Sequence, residues 1–360
     1  MRPQAGSVVA LEEARGASWR ALGDARRSAA ERREALGQLV LGERAVPEDT
    51  AFVVFGSLAR EEVTPDSDVD WALLVDGLAD DGHSAAAHRV RALLREHGHK
   101  DPGPGGLFGG LAISHELVHR IGGDSDSNRN ITQRILLLLE SRSPVPKDVV
   151  RTRVLRVLLK RYLVDDFGYA MPPKSAARVP RFLLNDIVRY WRTMAVDFAV
   201  KRRDRDGAGW GLRNFKLRMS RKLIFAAGLA ACLSCKLRPP ASLALPEAET
   251  EEDYATIMAE HLLSFADSTP LETVAWASLE FGARPHVVAD IFEPYDAFLG
   301  VLRNPEERSR LDRLHPEEAL RDPLFKRTRE IGNRFQDGLS ALFFATDSEL
   351  TEATQRFGVF

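Results

Sequence analysis

Cysteine is almost missing from this chain: 360 residues contain only Cys232 and Cys235. Two thiols exclude a disulfide framework and suit a reducing compartment. They stand as Cys232-Leu-Ser-Cys235, with no second pair to complete a zinc site, so the flanking Leu-Ala-Ala-Cys-Leu-Ser-Cys reads as a buried helix end. Long apolar runs are missing too. Ile135 to Leu139 falls far short of the roughly 18 residues that a membrane span needs. No apolar core follows the N-terminal basic residues, so no signal peptide is expected and the chain is expected in the cytoplasm. An excess of one charge is also lacking: 50 Lys and Arg face 52 Asp and Glu, a net charge of −2. Nothing global therefore points to a nucleic-acid coat or a membrane surface, and any basic site must be local. No internal repeat is evident. What the chain does have is an ordinary 44% of hydrophobic residues, ample for a core, and a length that favours two packed units.

Along the chain, residues 8–45 are rich in Ala, Arg, Glu and Leu at helical spacing, which predicts one or two leading helices. Pro47 and Asp49 interrupt them, and Ala51-Phe-Val-Val-Phe55 reads as a fully buried strand. A second strand is expected over Val69–Val75, a helix over His83–Glu96, and a loop over the Gly/Pro-rich Gly98–Gly110 stretch. Beyond it nearly everything reads as helix: 149–165, 178–203, 212–235, 250–265, 269–281, 286–304 and 323–345. The expected organisation is N-terminal helices over 1–48, a catalytic core over 49–148 and a helical domain over 149–360, with an internal linker at 236–250. The fold class is α+β: a small mixed-sheet core with an N-terminal helical segment and a large all-helical domain.

Chemistry concentrates between the first two strands. Gly56 allows close backbone approach to a ligand, and Ser57 supplies a hydroxyl and an N–H. A helix starting near Leu58 would point its free N–H groups at the same ligand and favour an anion such as a triphosphate. Arg60 adds charge opposite the phosphates, and Ser67 a hydroxyl beside them. Asp68 and Asp70, two apart at a strand start, project to one face. Such paired carboxylates repel unless a divalent cation lies between them, and Mg²⁺ suits one or two carboxylates plus substrate phosphates. Two Mg²⁺ ions are expected, with Mn²⁺ as a substitute, to activate an attacking oxygen and stabilise leaving pyrophosphate.

This segment resembles the signature of the DNA polymerase β-type nucleotidyltransferase superfamily: Gly-Ser, roughly ten residues, then Asp-x-Asp. Within it, the chain is most similar to the N-terminal region of the PII uridylyltransferase and its signal-transduction relatives. Gly98-His-Lys-Asp-Pro102-Gly-Pro-Gly105-Gly106 resembles their Gly/Pro-rich loop, Leu137-Leu-Leu-Glu140-Ser141-Arg142 their Glu-Ser-Arg segment, and Trp210-Gly211-Leu212-Arg213-Asn214 a Gly-Gly-Leu-Arg-Asp stretch. The similarity spans about residues 50–225. No His-Asp hydrolase motif, paired cystathionine-synthase-type domains or ligand-sensing C-terminal domain accompanies it, so the PII protein is not assumed as substrate. The resemblance implies a third carboxylate on a neighbouring strand, acting on the metal. Glu140 is the choice for that ligand, with Asp124 and Asp126 as rivals in what looks like a loop feeding a helix N-cap.

His115-Glu116-Leu-Val-His119 matches the zinc-protease pattern, but Ser125 stands where a third ligand is expected, and the histidines read as surface residues. Lys201 to Lys222 is strongly basic, including Lys201, Arg205 and Arg221 against Asp204 and Asp206. Arg213 and Lys216 within it are expected to contact the triphosphate, whereas a solvated helix face is the plain alternative. Trp210 and Phe215 offer rings for a base or simply for packing.

The expected reaction moves a nucleoside monophosphate from an NTP to a hydroxyl of a protein, tRNA or small molecule, in a stand-alone regulatory or toxin-like modifier that has a cognate regulator or antitoxin. The alternatives are an oligonucleotide second-messenger synthase and an inert nucleotide-binding scaffold.

Overall fold

A computed structural model describes residues 6–43, 45–103, 106–146, 148–167, 177–204, 207–244, 250–345 and 348–358. Pro104 and Gly105 of the glycine-rich loop, Arg205 and Asp206 of the basic stretch, and 245–249 of the expected linker lie outside them, as do the side chains of Lys201 and Asp204.

The chain is α+β, with a three-stranded mixed sheet near its start and helices for most of the rest. Strands β1 (Thr50–Val54) and β2 (Trp71–Val75) pair antiparallel, Thr50 opposite Val75 and Val54 opposite Trp71. Strand β3 (Gly110–Ile113) pairs parallel to β2, placing Ala72 opposite Gly110. Side chains alternate between two cores, as strand geometry requires. Ala51, Val53, Ala72, Leu74 and Ala112 face the large helical cluster. Phe52, Val54, Trp71 and Leu73 face a smaller cluster with Leu36, Val40, Val90 and Leu94. Every residue of β1 and β2 is therefore buried, which is why both read as continuous apolar runs.

The leading segment forms two helices, Ser7–Arg15 and Arg20–Gly42, the first closed by Gly16 in the left-handed conformation. The helix Asp81–Glu96 carries the chain from β2 across to β3, and its capping box joins Asp80 and His83. β3 is a departure from the sequence expectation. Its four residues emerge directly from a Gly/Pro-rich loop, too few to show alternation.

The C-terminal helices run Val149–Phe167, Arg181–Asp204, Trp210–Leu237, Glu251–Ala266, Pro270–Glu280, Pro285–Arg303 and Pro323–Ser340, close to expectation. Proline at the first helical position marks several starts, where its missing N–H is no loss. Three helices appear that the periodicity did not show: Pro305–Arg313, Pro316–Ala319 and Glu349–Phe357. The Trp210–Leu237 run contains a π-helical turn at Leu217–Arg221, a feature that tends to mark functional surfaces. Cys232 and Cys235 are buried in its second half, and burial pushes both thiols up. Among the described residues no helix is long and apolar enough to cross a membrane.

Candidate active site

β1 ends at Val54, and Phe55 donates its N–H to Asp70 O at 2.8 Å, which carries the ladder one step past the strand ends. The chain then turns sharply. Gly56 has φ of +64°, in the left-handed region, and a Cβ there would meet Asp70 Oδ2 at 2.8 Å. Glycine is needed twice over, for the backbone angle and for the side chain of Asp70. A Gly56→Ala replacement is expected to destabilise the fold by about 1–2 kcal/mol through its backbone angle. Because it also displaces the Asp70 carboxylate, it should lower kcat/KM roughly a hundredfold. Thermal melting and steady-state kinetics check both; a variant with wild-type turnover would contradict the close approach.

The helix expected after Ser57 is only the single turn Gly56–Ala59, and Arg60 caps it. Glu61 ends it at φ +62°, the single left-handed non-glycine among the described residues. Two arginines of the helix Arg20–Gly42 hold Glu61 there, Arg33 at 2.8 Å and Arg26 at 3.4 Å. Arg33 also donates to Leu58 O at 3.0 Å, and Arg32 to Ser67 O at 2.8 Å. Ser67 closes a turn on Thr64: its hydroxyl accepts from Thr64 N–H at 3.0 Å. Asp68 and Asp70 follow that turn, just ahead of β2 rather than within it.

Gly56, Ser57, Arg60, Thr64, Ser67, Asp68 and Asp70 form one wall of a cleft continuous with solvent. The opposite wall comes from the helical part: Lys216, Ser220 and Arg221 around the π-helical turn, Leu302, and Arg308 of the helix Pro305–Arg313. Ser220, Arg221, Leu302 and Arg308 carry no local mark of this role, since on charged amphipathic helices nothing shows which side chains face a distant loop. Arg213 does not line the cleft and lies beside Gly209 and Asp312. Trp210, partly buried, packs on Phe325, and Phe215 packs on Phe298 within the core.

Behind the cleft floor is a buried charge network. Arg60 bonds Glu62 Oε2 through Nε at 2.9 Å and Nη2 at 2.8 Å, and donates through Nη1 to Glu140. Arg221 Nη1 reaches the same Glu140 at 3.1 and 3.3 Å. Glu62 also accepts from Ser220 Oγ at 3.1 Å and from the Tyr295 hydroxyl. Glu140 sits at the C-terminus of the helix Asn128–Leu139 and not on a strand. Two residues later, Arg142 makes a single antiparallel bridge to Val54, at the free edge of β1. The Glu140 side chain is wholly buried and does not line the cleft. Asp126, at the other end of that helix, is paired with Arg134 at 2.7 Å in a separate buried network with Asp186 and Tyr162; Asp124 is exposed. Among the described residues, no group of three His, Cys, Asp or Glu is arranged to hold a metal ion, and His115 and His119 lie exposed on a short helix.

Electrostatics separate the charges in and behind the cleft into two sets. Arg60, Glu62, Glu140 and Arg221 compensate one another. Asp70 forms no ion pair with a described residue: burial first, and then the neighbouring Asp68, push its carboxyl up to about 6, against the opposing charges of Arg221 and Arg60. Two carboxylates so placed fit a divalent cation, whose charge would offset both the burial and the like-charge repulsion.

Residues 18–106 match the family described as "Putative nucleotidyltransferase DUF294". The match covers the helix Arg20–Gly42, β1, the Gly56–Asp70 wall and β2, and stops short of Glu140, Lys216, Arg221 and Arg308. No curated protein and no solved structure matches the chain.

Proposed function

We propose that the chain transfers a nucleoside monophosphate from an NTP to a hydroxyl acceptor (protein, tRNA or small molecule), with Mg²⁺ held by Asp68 and Asp70. The observation that carries this reading is the pairing of those carboxylates with Gly56-Ser57 across a single cleft, in a segment of nucleotidyltransferase type. The acceptor oxygen bonds to the α-phosphorus as the bond to pyrophosphate breaks, and the hydroxyl proton passes to solvent. Bound Mg²⁺ would supply charge for the attacking and leaving oxygens. Ser57 presents its N–H and hydroxyl to the phosphates from the one-turn helix. Glu140 and Glu62 act through the arginines that they hold, fixing Arg60 and Arg221 beside Asp70. The metal-ligand role for Glu140 implied by the family resemblance is therefore replaced in this reading by a positioning role.

The test is label transfer from each of the four NTPs, with Mg²⁺, into a host lysate. Labelled acceptor is expected from the wild-type chain and not from Asp70→Asn; equal labelling by both would sink the assignment. Product formed without any acceptor would indicate a messenger synthase instead.

Lys216 supplies a pH signature. Burial first, and then Arg308, pull its ammonium down to about 8, with Asp68 opposing and Arg221 and Arg60 reinforcing the shift. Bound triphosphate favours the charged form, so the nucleotide binds best below pH 8. Affinity is expected to fall by up to about tenfold per pH unit above it, as the ammonium is lost. Titration calorimetry between pH 7 and 9.5 measures this, and Lys216→Arg should flatten the profile.

A further inference from the structure

A second groove open to solvent shares no lining residue with the cleft. Most of the charges along it are already satisfied. Arg151 bonds Asp267 Oδ1 at 2.9 Å, Ser141 Oγ at 3.1 Å and the carbonyls of Ser141 and Ala266 at 2.9 and 3.0 Å. Arg156 is paired with Glu260. Asp148 accepts from Ser143 Oγ at 2.6 Å and from the Arg151 N–H at 3.0 Å, at the start of the helix Val149–Phe167. Arg142 is the exception. It donates through Nη1 to the Asp267 carbonyl and makes no ion pair with a described residue. Burial first, and then Arg151, pull its guanidinium down to about 10, with Arg33 reinforcing the shift and Glu61 and Asp267 opposing it. Glu61 is taken by Arg33 and Arg26, and Asp267 by Arg151. Arg142 therefore stays charged at neutral pH with most of its donors unmet.

A planar guanidinium fork matches a carboxylate. Val145, Pro146 and Val149 line the same groove as an apolar surface, and Val149 is 70% exposed. Asp148 and Asp267 line it too, which disfavours a multiply charged anion more than a singly charged one. A small organic acid meets all three conditions, its carboxylate on Arg142 and a short apolar body against the valines. The groove is also tied to the cleft by three consecutive residues. Glu140 holds Arg60 and Arg221, Ser141 is held by Arg151, and Arg142 bridges Val54 through main-chain bonds of 2.8 and 3.0 Å, two residues before Gly56. We propose that this groove is a regulatory site for a small monocarboxylic acid, bound through Arg142, and that its occupancy firms the Glu140 network and tightens nucleotide binding in the cleft. The binding stands by itself; the regulation rests on the nucleotidyltransferase reading.

Calorimetry on the full chain tests this with butyrate and benzoate as probes, and inorganic phosphate and butylammonium as controls. The wild-type chain should bind both acids, phosphate about tenfold more weakly, and butylammonium not at all. Arg142→Gln removes the charge-assisted fork and should weaken the acids about ten- to a hundredfold. Val149→Glu sets a like charge beside the carboxylate, at an exposed position in a helical first turn where an acidic residue suits the fold, and should weaken them about tenfold. With saturating acid, NTP affinity should rise about fivefold in the wild-type chain and stay level in Arg142→Gln. Acid binding untouched in both variants, or phosphate bound more tightly than the acids, would overturn the site. Acid bound with NTP affinity unmoved would overturn the regulation. A chain that binds the acids through Arg142 but binds no NTP would keep the site and remove the nucleotidyltransferase reading instead.

Discussion

Asp70→Asn is expected, on the proposed function, to lower nucleotidyl transfer by about three orders of magnitude, because losing a carboxylate proposed to hold the metal would remove roughly 4 kcal/mol of transition-state charge stabilisation. The same change should not weaken the fold. In the metal-free chain the Asp70 carboxylate is disfavoured, first by burial and then by Asp68. Asparagine has the same shape without the charge, and a Gly56 neighbour leaves room for either amide atom. In EDTA the variant is therefore expected to match or exceed wild-type stability, by on the order of 1 kcal/mol. Opposite signs for activity and stability are the signature of a charge kept for function. The measurement is paired: initial rates of label transfer, and urea unfolding in EDTA. A variant that loses activity and stability together would mean that Asp70 serves the fold, and the catalytic reading would lose its main support.

Glu140→Ala is expected to do the reverse and to be felt first as instability, by about 3–5 kcal/mol. Its carboxylate is the shared acceptor of Arg60 and Arg221, and it is wholly buried. Removing it leaves Arg60 with Glu62 and Arg221 without an ion pair among the described residues. Uncompensated buried charge is the reason that breaking such a network costs more than forming it contributes. Glu140→Gln keeps the volume and one acceptor and should lose less. The double variant Glu140→Ala/Arg221→Met should be more stable than the sum of the single effects predicts, since each removes the other's stranded charge. Chemical denaturation with a double-mutant cycle reads this out. If Glu140→Ala unfolds within about 0.5 kcal/mol of wild type, as an ordinary surface change would, the buried network is not what holds the arginines.

Several parts of the molecule were legible without coordinates. β1 and β2 are buried on both faces, so each appears as an unbroken apolar run bounded by turn residues. Gly56, Ser57, Asp68 and Asp70 lie within fifteen consecutive positions, and chemistry packed into one strand-turn-strand unit leaves its mark locally. The long C-terminal helices announced themselves by periodicity. β3 did not, because four residues beside a Gly/Pro-rich loop show no period. The short helix Pro305–Arg313 did not either, being mostly charged and burying only Leu311.

Local sequence thus determined the fold class, the two main strands and the Gly56–Asp70 wall of the cleft, since residues close in the chain stay close in any fold. The other wall was decided by tertiary packing alone. Tyr295 meets Glu62 across 233 positions, Arg308 meets Thr64 across 244, and Arg221 meets Glu140 across 81. An arginine on an amphipathic helix looks the same in sequence whether it faces water or a buried carboxylate; only the packing of helices onto the sheet selects between them. The same packing took Glu140 out of the cleft and put Lys216 and Arg308 into it.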